Sequence, residues 1–206
     1  AFGHKAGVDA VRKVVSAAGR LGVKHLTLFG FSTENWRRPE EEVDALFDLM
    51  RRFVDADLEK LAKEDVRIRI GRREGLGADL IDIIERAEAR TDNNVGFTLD
   101  IAFNYGGRDE IVRAARKFAT AVRDGQVDPD RADEGVFARF LDTHGAPDPD
   151  LVIRTSGERR ISNFLIWQAA YAELIFTDVL WPDFGEEHLA AAIEEFRSRQ
   201  RRFGGV

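Results

Sequence analysis

Apolar positions recur every three to four residues over 7–21, where Val8, Val11, Val14, Val15, Ala18 and Leu21 form one stripe and Gly22 follows. That spacing predicts an amphipathic helix closed by glycine. "HLTLFGF" (25–31) is a short apolar run of the kind that makes a buried strand. Pro39 then opens a long helix, because its fixed φ suits a first turn, with Val43, Leu46, Phe47, Met50, Phe53, Val54, Leu58 and Leu61 on one side. Arg51 and Arg52 interrupt that face and mark a mouth toward solvent or anionic lipid. "VRIRI" (66–70) alternates as a half-exposed strand does, a helix covers about 77–90, and "FTLDIAF" (97–103) is a third strand. Helices over 108–122 and near 134–142, a strand in "LVIRT" (151–155), a helix in "NFLIWQAAYAE", a strand in "LIFTDV" and a closing helix over 186–202 complete the series. Strand and helix alternate through short polar loops, the pattern of a parallel sheet covered on both faces. The expectation is one α/β domain over residues 1–206, with five strands of a parallel sheet visible.

Composition narrows the partners. With 206 residues and 44% apolar composition, the chain can bury one good core. No apolar run approaches a membrane span, and Ala1 opens no charged leader followed by an apolar core. Zero cysteines exclude disulfides and thiolate metal sites and fit a reducing compartment, so a cytoplasmic location is expected. A net charge of −6 supplies no basic field for nucleic acid, so any anion must be caught locally.

Three polar clusters follow predicted strands: "STENWRRP" after Phe31, "NYGGRDE" after Phe103 and "RTSGERRIS" after Ile153. Open parallel sheets bind ligands at the carboxyl ends of their strands, so a shared site is expected there. In the third cluster Arg154 and Arg160 present forked donors suited to phosphate oxygens, and Ser162 sits where an N-cap would open the next helix. This reads as a phosphate or diphosphate clamp; a solvated turn with Glu158 pairing one arginine is the plainer alternative. Taken alone, the first two clusters read as helix entrances and His4 as an exposed first-turn residue. Glu173, between Tyr171 and an apolar strand, must be solvated, paired or bound to a metal. The chain carries no GxxxxGK[ST], GxGxxG, GxSxG, HExxH or DDxxD pattern, and its four histidines lack ligand spacing.

Together, "AFGHKAG", "FSTENWRRP", "NYGGR", "DLVIRTSGERRISNFLIWQAAYAELIFTDVLWPDF" and "RRFGG" resemble the cis-prenyltransferase family, in particular its bacterial undecaprenyl diphosphate synthase branch. The resemblance covers the whole chain. It implies a homodimer, a parallel sheet of about six strands, a hydrophobic tunnel, and repeated condensation of isopentenyl diphosphate onto farnesyl diphosphate with Mg²⁺. It implies roles for Arg154, Arg160 and Ser162 on isopentenyl diphosphate and for Glu173 on Mg²⁺. His4, Ser32, Asn35 and Arg38 would lie around the reacting groups, with Trp36 and Glu34 on a mobile loop over substrate. Gly204 and Gly205 would reach toward the partner subunit. Peripheral membrane contact during product release is compatible with the same picture. The family pattern begins with a strand and a "DGNGRWA"-like phosphate loop that includes a catalytic aspartate; this sequence starts after it, and that segment is expected upstream. A shorter-chain synthase, a non-catalytic subunit of the same fold and an unrelated phosphate-binding module are the competing readings.

Overall fold

The computed structural model describes residues 2–199. Helix α1 (Phe2–Arg20) leads into strand β1 (His25–Ser32), a 3-10 turn (Thr33–Arg37) and helix α2 (Glu40–Lys63). Strand β2 (Val66–Ile70), helix α3 (Ala78–Thr91), strand β3 (Phe97–Tyr105) and helix α4 (Gly107–Arg123) follow. The chain then passes through short helix α5 (Glu134–Ala138), strands β4 (Leu151–Arg154) and β5 (Glu173–Phe176), and helix α6 (Glu186–Ser198).

All strand pairs are parallel, as the alternation predicts, but the strands form two sheets: β1-β3-β2 and β4-β5. The five strands that the sequence shows are thus present and parallel, divided among the described residues between two sheets. Hydrophobic pattern fixes which face a strand buries, whereas lateral pairing is a long-range matter that no local pattern encodes. Within the larger sheet the register aligns Leu26, Leu99 and Ile68 in one row and Leu28, Ile101 and Ile70 in the next. These rows meet the apolar stripes of α1, α2 and α3 in one core that holds Val54, Leu80, Ile84 and Leu99, each 2% exposed or less. The other face carries Thr27, Asp100 and Arg69, one register row of polar groups.

Three further differences have local causes. Helix α2 begins as expected, with Glu40, Glu41 and Glu42 in its first turn where the helix dipole favours acids, but Arg51 is no mouth. It bonds Asp79 of α3 at 2.7 Å and Asp48 at 2.9 Å, clamping two helices together. The helix near 134–142 stops at Ala138. Residues 162–172 are turns, because Ser162, Asn163 and Leu165 are left-handed (φ 49°, 64° and 47°) and cannot continue a right-handed helix. Ser162 consequently caps no helix.

Candidate active site

The three polar clusters do converge. In "STENWRRP", Asn35 turns its side chain back so that the Ser32 N–H donates to Oδ1 at 2.9 Å, closing the 3-10 turn. Trp36 stands edge-on to Phe31 and Phe47, and its indole N–H donates to Asn104 Oδ1 at 2.8 Å, joining the first cluster to the second. Asn104, itself left-handed at φ 53°, donates to the Glu74 carbonyl at 2.7 Å. The third cluster joins both others through Asn163. Its carbonyl accepts from Gly107 N–H at 2.7 Å, its Oδ1 accepts from Arg108 N–H at 2.8 Å, and its Nδ2 donates to Glu34 Oε1 at 2.9 Å. Only glycine allows this approach: a Cβ on Gly106 would sit 2.3 Å from Thr33 Oγ1, and one on Gly107 would sit 2.7 Å from Ile166 Cγ1.

Arg154 ends β4, and its loop is tied down where Ser156 N–H donates to the Val179 carbonyl at 2.8 Å and Gly157 N–H to the Thr177 carbonyl at 3.0 Å. Arg160 is exposed and pairs with Glu158. Arg38 lies 3.6 Å from Glu42, one helical turn on. Burial works against the charge on Glu34, but hydrogen bonds led by Asn163 outweigh it and hold its carboxyl below the usual range.

Glu173 is not brought to this cluster within one chain. It opens β5 opposite Leu151, whereas Arg154 lies opposite Phe176 at the other end of the same pair, so three residues, about 10 Å, separate them along the strands. Arg199 donates to its Oε2 at 2.8 Å. His4 lies in the first turn of α1, but its side chain falls outside the described residues, as do Gly204 and Gly205. Among the described residues no group of three or more His, Asp or Glu is placed to hold a metal.

Behind the loops lies a buried network that the sequence did not announce. Glu110, 1% exposed on α4, accepts from Tyr105 Oη at 2.5 Å, Asp142 N–H at 2.9 Å and Gln168 Nε2 at 3.0 Å. Burial, reinforced by that carboxylate, raises the Tyr105 phenol well above its ordinary pKa. Beside it Arg113 bonds Asp142 at 2.5 and 2.7 Å and Asp109 at 2.8 Å, so its guanidinium is held still more firmly charged, and Arg72 reaches Asp109 at 2.5 Å. The available signal was Gln168 inside the apolar stretch "FLIWQAAY", which marks burial with partners but does not name them, whereas Glu110 in "GGRDEIV" reads only as a first-turn acid. Gln168 Oε1 is buried without a protein donor among the described residues.

A cavity of about 1,620 Å³ opens beside the loops, with Leu26 and Leu28 of β1, Val152 and Arg154 of β4, and Leu46 and Met50 of α2 among its walls. Among the described residues no helix is long and apolar enough to cross a membrane.

The chain is similar to known proteins in sequence and in fold. A prenyltransferase family model described as "Putative undecaprenyl diphosphate synthase" matches residues 1–204. An isoprenyl transferase of Caulobacter vibrioides is 57% identical over all of this chain and 80% of its own length. One from Streptococcus mutans is 54% identical over all of this chain and 84% of its own. Lavandulyl diphosphate synthase from Lavandula x intermedia, solved in complex with dimethylallyl diphosphate, superposes with a TM-score of 0.95 at 39% identity, covering 98% of this chain and 88% of that one. A Campylobacter jejuni structure titled "probable undecaprenyl diphosphate synthase" gives 0.86 at 35%, covering 97% and 92%. The protein is thus a transferase, and the chain belongs to the undecaprenyl diphosphate synthase family of prenyltransferases.

Proposed function

We propose that the protein condenses isopentenyl diphosphate onto farnesyl diphosphate, repeatedly and with cis geometry, to give undecaprenyl diphosphate. The observation that carries this reading is the junction of three polar loops at the carboxyl ends of parallel strands. In each cycle the allylic carbon–oxygen bond breaks, the isopentenyl double bond attacks that carbon, and diphosphate and a proton leave. Arg154 and Arg160 grip diphosphate oxygens with forked donors, and Ser162 adds a hydroxyl. Ser32, Asn35 and Arg38 surround the reacting end, with His4 beyond them, while Trp36 and Glu34 close the loop. Fixed donors of this kind stabilise charge as it gathers on the leaving group.

Mg²⁺ is the proposed metal, and when bound it would withdraw charge from the leaving diphosphate. Mg²⁺ commonly takes one or two carboxylates with substrate phosphate oxygens and water, so the chemistry of Glu173 fits. Two conditions follow from its position: it must release Arg199, and it must serve a diphosphate reaching the amino end of β5.

Two features of the sheets support the remaining expectations. Among the described residues β1 pairs only with β3 and β4 only with β5, and both border the cavity, so the family's additional strand has a place between two open edges. Hydrogen exchange on the complete protein should find the amides of both edges protected; fast exchange at either would remove that strand from the gap. Exposed Leu180, which follows β5, fits a homodimer interface. Sedimentation as a monomer at micromolar concentration would refute the dimer.

The decisive experiment is turnover of isopentenyl and farnesyl diphosphates by the complete protein with Mg²⁺, with product length read by chromatography. Arg154→Ala and Arg160→Ala should each raise KM for isopentenyl diphosphate by roughly 10- to 100-fold, the scale of hydrogen bonds to charged groups. No prenyl product from the wild type, or unchanged KM in both variants, would overturn the reading. The similarity to lavandulyl diphosphate synthase keeps a short product as the second reading, and the same chromatogram decides it.

A further inference from the structure

We infer that Asn163 is a positioning residue: it latches the loop bearing Glu34 onto the start of α4 and so sets the closed state of the proposed isopentenyl diphosphate site. Its side chain touches both other clusters at once. The amide is split, with Oδ1 taking the Arg108 N–H and Nδ2 giving to Glu34 Oε1. An amide suits the position because one end must accept and the other donate. Its φ of 64° is a conformation that asparagine and aspartate tolerate better than most residues. The bond to Arg108 occupies an amide at the helix start that has no partner within α4, so this half of the contact is structural. The bond to Glu34 spans 129 residues and ends on an exposed side chain, so this half can part without disturbing the helix start.

The two halves can be separated by one substitution. Asn163→Asp keeps an acceptor for Arg108 N–H and places a carboxylate at a helix N-terminus, where it is welcome. Toward Glu34 it replaces a donor with a second carboxylate, and two carboxylates in contact cannot both remain ionised. The other acidic groups of the three elements are Asp109 and Glu110 on α4 and Glu158 on the third segment; the rest are cations, Arg37 and Arg38 on the loop, Arg108, Arg113, Arg116, Lys117 and Arg123 on α4, and Arg154, Arg159 and Arg160 on the third segment. These cations keep their charge at every pH used here. Asp109 is committed to Arg72 and Arg113, Glu110 to Tyr105 and Gln168, and Glu158 to Arg160. The pH response of the variant should therefore come from the new carboxylate pair at positions 163 and 34.

This inference rests on the proposed substrate site, so the test reads the latch both through turnover and independently of it. In the complete protein, Asn163→Asp should lower kcat/KM for isopentenyl diphosphate roughly three- to tenfold at pH 8, the scale of one partly exposed charged contact. The deficit relative to wild type should shrink as pH falls toward about 5.5 and the pair takes up a shared proton. Melting temperature should hold, and hydrogen exchange of residues 33–37 should quicken at pH 8. Adding Glu34→Gln, which restores a donor opposite the introduced carboxylate, should return that exchange toward wild type and make the double variant no worse than Glu34→Gln alone. Three results would overturn the latch: wild-type kinetics and exchange in Asn163→Asp, a deficit independent of pH, or a fall in melting temperature without rescue. A wild-type protein inert toward isopentenyl diphosphate would instead refute the substrate assignment, and the exchange data would still decide the latch.

Discussion

Truncation of Glu110 is the sharpest test of what holds the candidate site in shape. Glu110→Ala removes the acceptor from the Tyr105 hydroxyl, the Asp142 N–H and the Gln168 amide. Gln168 keeps one partner, Thr143 Oγ1 at 2.9 Å, so the buried Tyr105 hydroxyl and the part-buried Asp142 N–H lose their acceptor. Each costs about 1–3 kcal/mol, and the lost side chain leaves space behind it, so we expect about 3–5 kcal/mol in all. For a chain of this length that is a drop in melting temperature of roughly 10 °C. Urea unfolding of Glu110→Ala, Tyr105→Phe and the double variant would measure both the cost and the coupling. Residues sharing a contact should deviate from additivity by at least about 1 kcal/mol. A single-variant cost below about 1 kcal/mol, or strict additivity, would refute the network as a staple. Because Gln168 and Asp142 anchor the segments on either side of β4, KM for isopentenyl diphosphate should rise as well.

Two glycines should answer oppositely to alanine. A Cβ on Gly71 would lie 2.1 Å from the Phe103 carbonyl oxygen, inside backbone that cannot yield, so Gly71→Ala should abolish soluble expression. Gly19 lies in α1 with nothing within 4 Å of its Cβ position, so Gly19→Ala should stabilise by about 0.4–1 kcal/mol in chemical denaturation. Tyr105 predicts an alkaline limit. Its phenol stays protonated in the folded state above the value of about 10 at which it ionises in the unfolded chain, so the unfolded chain alone loses that proton as pH rises. Stability should then fall by up to about 1.4 kcal/mol per pH unit above about 10, and Tyr105→Phe should flatten the slope; an unchanged slope would show that the phenol is not the cause.

Much of this was legible because it is local. The stripe of α2 after Pro39 and the alternation of "VRIRI" fix which residues face inward, and the structure buries Val43, Phe47, Phe53, Val66, Ile68 and Ile70 accordingly. The convergence of the three clusters was legible for the same reason, since parallel strands send their carboxyl ends one way. The apolar spacing of "NFLIWQAAYAE" misled because burial of Leu165 and Gln168 mimics a helical stripe while left-handed residues forbid the helix. Nothing in the chain predicts that Ser162 and Leu165 adopt left-handed φ values of 49° and 47°; the surrounding contacts impose them. Lateral strand order and the Glu110 network escaped because each depends on residues far apart in sequence, such as Gln168 reaching Glu110.

A chain of net charge −6 gathers arginines at one end of its strands, and not all have the same task. Arg72 and Arg113 are spent on Asp109 and Asp142 and belong to the framework. Arg160 holds Glu158 within its own exposed loop, a contact worth little in solvent and readily exchanged for a stronger anion. Arg154 forms no ion pair with a described residue, although its strand ends in the wall of the cavity. A merely solvated turn would have no need to keep Arg154 at that wall while anchoring its backbone at Ser156 and Gly157. The proposed diphosphate would need both, because a fixed fork gains most from an anion that arrives without rearrangement of the donor.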